Sequence, residues 1–168
     1  LNWLQGQWMR QIPKEEFAER LLSFVVDKYP EAKDDALFNQ KAALIQDRIT
    51  FFPEAPEMVS YYYEEPTVTM ELLANKKQKV TPELLPEMLD LLIGTLQDVS
   101  ESNWDEEHLK ELLFSVAEKK EYKRGQILWP LRAALTGLPY SPGAFEVAAI
   151  LGKECTMKRL NTAANTIS

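Results

Sequence analysis

Lys123-Arg124-Gly125-Gln126-Ile127-Leu128-Trp129-Pro130-Leu131-Arg132-Ala133-Ala134-Leu135-Thr136-Gly137 reads as an amphipathic helix with a basic entry and a proline inside it. An interior proline removes a backbone hydrogen bond and crowds the preceding turn, at roughly 3 kcal/mol. A chain that keeps one there needs the resulting bend or the freed carbonyl. Thr136-Gly137 is an ordinary helix stop. Ser141-Pro142-Gly143 then reads as an N-cap and turn opening a second helix, which ends in Leu151-Gly152-Lys153-Glu154. On a 3.6-residue period Leu128, Leu131 and Leu135 stack, with Arg132 beside them rather than opposite. From that edge Arg132 can reach a planar partner, because its fork suits base edges and phosphates. It can equally pair with Glu146, and periodicity leaves these two readings level. The helix start at Ser141 presents unpaired N–H groups, either to a ligand or to a simple cap.

Working outward, the pattern stays helical. Ile12-Pro13-Lys14-Glu15-Glu16 opens a helix with proline at its entry and acids in its first turn. Phe17, Leu21, Phe24 and Val25 follow at helical spacing, and Tyr29-Pro30 ends the run. A second helix starts near Asp34-Asp35, with Leu37, Ala42, Leu44, Ile45 and Ile49 on its buried side. Pro53 and Pro56 permit only a short helix carrying Met58, Val59, Tyr61 and Tyr62. Thr81-Pro82-Glu83 reads as an N-cap with proline at the first position, opening a long helix through Leu84, Leu85, Met88, Leu89, Leu92, Ile93 and Leu96. Another helix runs from about Trp104 to Lys120. A last one runs from about Cys155 to Ala163, with a tail at 164–168 that is expected to fray. Thr67-Val68-Thr69 is the only β-like triplet. The expected architecture is all-α, as two packed helical subdomains. The polar run Asn75-Lys76-Lys77-Gln78-Lys79 reads as the linker, dividing 1–78 from 79–168.

Composition excludes several classes. Hydrophobic content of 45% is ample for a core, and 27% charged residues is ordinary for a globular chain. No apolar run approaches the ~20 residues of a membrane span. No basic leader with an apolar segment opens the chain, and one cysteine excludes an internal disulfide, so a cytoplasmic protein is expected. The first residue is Leu1, not Met, as expected of a piece of a longer protein. A lone histidine, His108, and a lone cysteine, Cys155, do not supply the three or four ligands of a metal site. With no glycine-rich phosphate loop and no second histidine, no catalytic constellation can be built. The expected catalytic and metal residues are therefore none. A net charge of −7 opposes general nucleic-acid affinity. The distribution is uneven, however. Residues 117–160 carry eight Lys and Arg against four acids, a net +4, which leaves −11 on the rest. One local face could meet nucleic acid, or the charges could be a solvated helical surface.

These residues resemble a known family. The Gly125 to Gly137 stretch is similar to the Gly-x-x-x-x-Pro-Leu-Arg-x-Ala-Leu-Thr-Gly signature of bacterial glutamyl-tRNA synthetases. Ser141-Pro142-Gly143-Ala144-Phe145-Glu146 and Leu151-Gly152-Lys153-Glu154 follow at that family's spacing. The opening Leu1-Asn2-Trp3-Leu4-Gln5-Gly6-Gln7-Trp8-Met9-Arg10 resembles the segment that leaves the stem-contact region and enters the helical half. The resemblance implies an anticodon-binding helical cage of two subdomains, the C-terminal half of an enzyme that joins glutamate to tRNA(Glu). It implies ATP and magnesium in a catalytic domain whose two short ATP-binding motifs do not occur here, and no cofactor in this half.

By the same resemblance, Arg48 matches the arginine used at the third anticodon base, where a glutamine goes with relaxed tRNA choice. Arg132 matches the signature arginine near the anticodon. Ser141, Pro142 and Ala144 match a turn that meets anticodon bases largely through its backbone, and Lys123 falls at a basic position that could meet phosphate. Ser141 and Ala144 stand where Thr and Leu also occur, which weakens side-chain packing at Ala144. Arg48 could instead satisfy helix-end carbonyls. The implied partner is tRNA(Glu), read as a monomer, with no membrane and no DNA. Two alternatives remain: an enzyme that also charges tRNA(Gln), and a helical protein-interaction module with no RNA ligand, suggested by the acidity and by Tyr61-Tyr62-Tyr63.

Overall fold

The computed structural model describes residues 2–168; Leu1, the first residue of the opening match, lies outside it. Among the described residues the chain is helical with short 3-10 turns, and its one β-type pairing is the isolated bridge between Asn75 and Val80. It folds as two compact units, one closing at Glu65 and the next spanning Pro66 to Ser168.

The first unit holds α1 (Asn2–Gln11), α2 (Lys14–Val25), α3 (Phe38–Ile45), α4 (Ala55–Met58) and α5 (Ser60–Tyr63). Pro13 fixes the entry of α2, and Glu15 and Glu16 meet the positive end of its dipole. α2 packs on α3, and Met9, Phe17, Leu21, Val25, Ala42, Ile45, Ile49 and Val59 form the core. Burying each large aliphatic or aromatic side chain contributes about 1.5–3 kcal/mol. Two residues expected inward are not. Phe24 is 40% exposed and stacks on Phe52, with ring centroids 5.1 Å apart, and Leu37 is 39% exposed just before α3 begins. α3 starts later than the pattern suggests because Asp35 holds a turn first, accepting the Leu37 N–H at 2.9 Å. Asp35 also receives Lys41 Nζ at 2.7 Å and Tyr63 Oη at 2.8 Å. Tyr29 Oη donates to Glu64 at 2.9 Å. The tyrosine run is thus interior: Tyr61 is fully buried, and Lys41 lies over the rings of Tyr62 and Tyr63. It does not form the exposed aromatic surface that suggested a protein-interaction module.

The second unit holds α6 (Met70–Leu73), α7 (Leu85–Leu96), α8 (Glu106–Lys119), α9 (Arg124–Thr136), α10 (Ala144–Leu151) and α11 (Lys153–Ile167). α9 is central, packing against α6, α7, α8, α10 and α11. It runs unbroken through the buried Pro130 and stops at Gly137, whose φ of 66° suits glycine. A Cβ at Gly137 would stand 2.7 Å from Pro66 Cβ, so the close approach of the 66–67 backbone also requires glycine.

That approach moves the boundary from the expected 78/79 to Glu65/Pro66. Trp129 Nε1 donates to the Leu72 carbonyl at 2.9 Å, and Gln126 Nε2 to the Lys79 carbonyl at 3.0 Å. The segment read as a linker is therefore stapled to α9. Thr69, read as part of a β-like triplet, instead caps α6 by accepting the Leu72 N–H. Thr81 caps a turn that precedes α7, and Asp105 caps α8. The expected fraying at 164–168 is replaced by helix to Ile167, with Thr162 and Thr166 hydroxyls donating to carbonyls four residues back.

Candidate nucleic-acid interface

α9 and α10 meet at a cleft of about 240 Å³ lined by Gln78, Gly125, Leu128, Trp129, Arg132, Gly143 and Ala144. Local sequence builds each wall. Gly125 has no side chain, so the Gln78 amide lies against it; a Cβ there would overlap Gln78 Oε1. Leu128 is half-buried and faces the cleft, whereas Leu131 and Leu135 on the same stripe are fully buried. Trp129 is held by its Nε1 bond, and the Arg132 guanidinium stacks on its ring, 4.4 Å from the centroid. Stacking of this kind contributes about 0.5–1 kcal/mol near a surface.

Arg132 bonds inward rather than reaching away. Its Nη1 donates to the Leu138 carbonyl at 3.1 Å and to Ser141 Oγ at 2.8 Å, and its Nη2 donates to the Pro139 carbonyl at 3.1 Å. One rigid fork thus fixes the loop between α9 and α10. Ser141 Oγ in turn donates to the Pro142 carbonyl at 2.8 Å. Ser141 was expected to cap α10, but Gly143 is the N-cap and no side chain bonds the first turn. The first α10 amide with a partner is that of Val147, bonded to the Gly143 carbonyl at 3.0 Å. The N–H groups of Ala144, Phe145 and Glu146 have no partner among the described residues, and a helix start of this kind attracts an acceptor or an anion. The wall of the cleft at Ala144 is thus the start of a helix with open donors.

The sequence-predicted residues fall into three groups. Arg132 and Ala144 line the cleft, Ser141 accepts a bond from Arg132 beside it, and Pro142 is buried between Ser141 and Ala144 in sequence. Lys123 is exposed and precedes the first turn of α9. Arg48 belongs to the first unit, on the turn after α3. Its side chain is exposed and makes no hydrogen bond or ion pair among the described residues. It does not satisfy the helix-end carbonyls; Arg10 Nε donates to the Asp47 carbonyl instead, at 3.2 Å. Gln78, Trp129 and Gly143 were not singled out by sequence reasoning. Trp129 and Gly143 lie inside quoted motifs, but Gln78 lies in the polar run that reads as linker.

The positive segment is also less open than its charge count suggests. Lys153 Nζ donates to the Gln97 and Val99 carbonyls at 2.8 and 2.7 Å, covering the end of α7. Arg159 is buried and donates to the Leu135 carbonyl at 2.7 Å, covering the end of α9. With Arg132, three of the eight cations serve the fold's own carbonyls. His108 stays at the α8 N-terminus, its ring nitrogen 2.8 Å from Asp105, and Cys155 is half-buried in the first turn of α11. No group of three or more His, Cys, Asp or Glu among the described residues is placed to hold a metal. No described helix is long and apolar enough to cross a membrane.

A family model described as the anticodon binding domain matches residues 16–164. A glutamate–tRNA ligase from Clostridium botulinum (strain Eklund 17B / Type B) is 32% identical over 162 residues, covering 95% of this chain and 33% of that protein. One from Clostridium tetani is 34% identical over 161 residues, covering 95% of this chain and 32% of that protein. A crystal structure of a glutamate tRNA ligase from Elizabethkingia meningosepticum superposes with a TM-score of 0.78 at 22% identity, covering 99% of this chain and 32% of that one. This last likeness concerns the fold. The chain spans about a third of the length of the relatives it matches.

Proposed function

The chain belongs to the anticodon binding domain family, and from that premise we propose that it is the anticodon-recognition module of a glutamate–tRNA ligase whose RNA partner is tRNA(Glu). The parent enzyme attaches glutamate to that tRNA with ATP and magnesium held in a separate catalytic domain, acting as a cytoplasmic monomer. The module itself carries no cofactor.

The observation that supports this reading most is the pairing of the cleft with the uncapped start of α10. Anticodon bases splayed out of their loop expose Watson–Crick edges. The open N–H groups at Ala144, Phe145 and Glu146 suit acceptors on such an edge, and the Trp129–Arg132 stack supplies a flat wall. In this mechanism Arg132 is chiefly the organiser of the loop, through Leu138, Pro139 and Ser141. Ala144 forms a wall of the cleft with the buried Pro142 behind it in the turn, Lys123 meets the phosphate backbone, and Arg48 reads a further base.

The test is binding of this chain to RNA hairpins that carry the anticodon stem and loop of tRNA(Glu), cognate or with single anticodon bases changed. Wild type should prefer the cognate loop, each lost base contact costing ~1–3 kcal/mol. Arg132→Ala should erase most of that preference. Equal binding of cognate and altered loops by wild type would sink the reading.

A further inference from the structure

Beside the cleft, two lysines are held together by a single side chain. Gln126 Oε1 accepts the Lys123 backbone N–H at 2.8 Å, while Gln126 Nε2 donates to the Lys79 carbonyl at 3.0 Å. The two backbones are therefore bridged by one side-chain amide. Both lysines are exposed, and neither forms an ion pair among the described residues. The proximity of Lys79 depresses the pKa of Lys123, as expected of two ammonium groups that meet with no carboxylate between them. Like charges brought together without a counter-charge are unfavourable in the free protein, and an anion between them removes the penalty.

Lys79 is also in an unusual conformation. Its φ is 62°, in the left-handed region, where a residue with a Cβ costs roughly 1–2 kcal/mol and glycine costs nothing. The turn around it is otherwise well tied. Asn75 and Val80 exchange two backbone bonds of 2.8 Å, Asn75 Oδ1 accepts the Gln78 N–H at 2.9 Å, and the Lys79 N–H donates to the Lys76 carbonyl at 3.1 Å. The turn needs a positive φ at position 79, and glycine would meet that need at no steric cost. Strain kept at one residue in an over-determined turn points to a use for its side chain. The neighbours of both lysines line the cleft: Gln78 precedes Lys79, and Gly125 lies two residues after Lys123.

We propose that Lys79 and Lys123 form a clamp for one phosphodiester of single-stranded RNA, the backbone group of the nucleotide whose base enters the Gln78–Trp129–Arg132–Ala144 cleft. This rests on the anticodon reading above and extends it to a residue outside the signature. The clamp holds one phosphate with two cations, so it adds affinity without sequence preference. It positions the nucleotide so that the cleft can select its base.

The experiment measures binding of the anticodon hairpin across a salt series for wild type, Lys79→Gly, Lys123→Gln and the double variant. Each phosphate contact to a single strand contributes about 0.7 to the slope of log K against log salt. The double variant should lose about one such step and no more than either single variant, because one phosphate is shared. Lys79→Gly should melt at or above the wild-type temperature while binding RNA several-fold more weakly, which separates the clamp from a folding role. The preference for the cognate anticodon should persist in all three variants. An unchanged salt slope in the double variant overturns the clamp and leaves the anticodon reading intact. Additive loss of two steps overturns the shared phosphate. Indifference of wild type to anticodon sequence, with the salt slopes behaving as described, overturns base reading while the clamp stands.

Discussion

The two units share a fold class and both staple carbonyls, the first through Gln46 onto Met9 and Ile12 and Arg10 onto Asp47, but they differ in what dominates. The first closes a polar network on itself: Asp35, Lys41 and Tyr63 bond one another, and Tyr29 meets Glu64. It leaves apolar rings exposed at Trp8, Phe24 and Phe51. The second leaves the Tyr140 ring exposed and uses side-chain donors as staples onto backbone carbonyls, from Trp104, Trp129, Arg132, Lys153 and Arg159. Staples of this kind fix loops and helix ends, which is what a recognition surface made largely of backbone requires. The comparison also separates two kinds of arginine. Arg132 is engaged by its own loop, while Arg48 is not engaged by anything described.

The largest expected effect tests whether the two compact units unfold independently. Leu131 is 1% exposed at the centre of the second unit. Leu131→Ala should cost about 2–5 kcal/mol, from lost burial plus the cavity left behind. Hydrogen exchange should then accelerate at amides of α7, α9 and α10 and stay unchanged in α2 and α3. Acceleration in α2 and α3 as well would make the two units one cooperative body.

A smaller effect is expected from the polar network of the first unit. Burial pushes the Asp35 carboxyl up, but bonds from Lys41, Tyr63 and the Leu37 N–H outweigh it, and the net pKa is lowered. A carboxyl whose folded pKa lies below its unfolded value stabilises the fold above that unfolded value, near 3.9, and the contribution is lost as pH falls through the folded pKa. Asp35→Asn should therefore cost about 1–3 kcal/mol at neutral pH, mainly through the donors left unmet on Lys41 and Tyr63. The difference from wild type should shrink on acidification below pH ~4. Urea titrations at several pH values check this; a difference that is constant with pH would remove Asp35 from the network's energetics.

These cases show what was readable in the chain. Helix type was legible because the prolines at 13 and 30 and the leucines of 85–96 are local signals. The cleft was half legible: Arg132 and Ala144, with Ser141 beside them, lie within one short stretch of sequence, which the signature and the Ser141 to Glu146 match after it cover. The rest depended on bonds that span dozens of residues. Nothing local in Asn75-Lys76-Lys77-Gln78-Lys79 signals that Trp129 holds Leu72 or that Gln126 holds Lys79. A polar run with no apolar period reads as linker whether or not a distant side chain fastens it. Ser141 misled for a related reason. It satisfies the local rule for an N-cap, but Arg132 and the Pro142 carbonyl compete for its hydroxyl and take it.

The smallest structural effect is expected at Arg48, and it sharpens the contrast between the two arginines most. Its side chain is exposed and bonds nothing described, so Arg48→Gln should leave stability within about 0.5 kcal/mol of wild type. Arg132→Ala, by contrast, releases three bonds to 138–141 and should lower the melting temperature. On RNA the order changes. If Arg48 reads a base, Arg48→Gln trades a fixed, charged fork for a neutral amide, and the chain should discriminate less between hairpins bearing the glutamate and glutamine anticodons. The total salt slope should change by no more than one contact. Competition binding with the two hairpins is the measurement. An unchanged ratio would leave Arg48 a bystander and place the discrimination wholly in the second unit, where the cleft, the open start of α10 and the loop held by Arg132 would have to supply it.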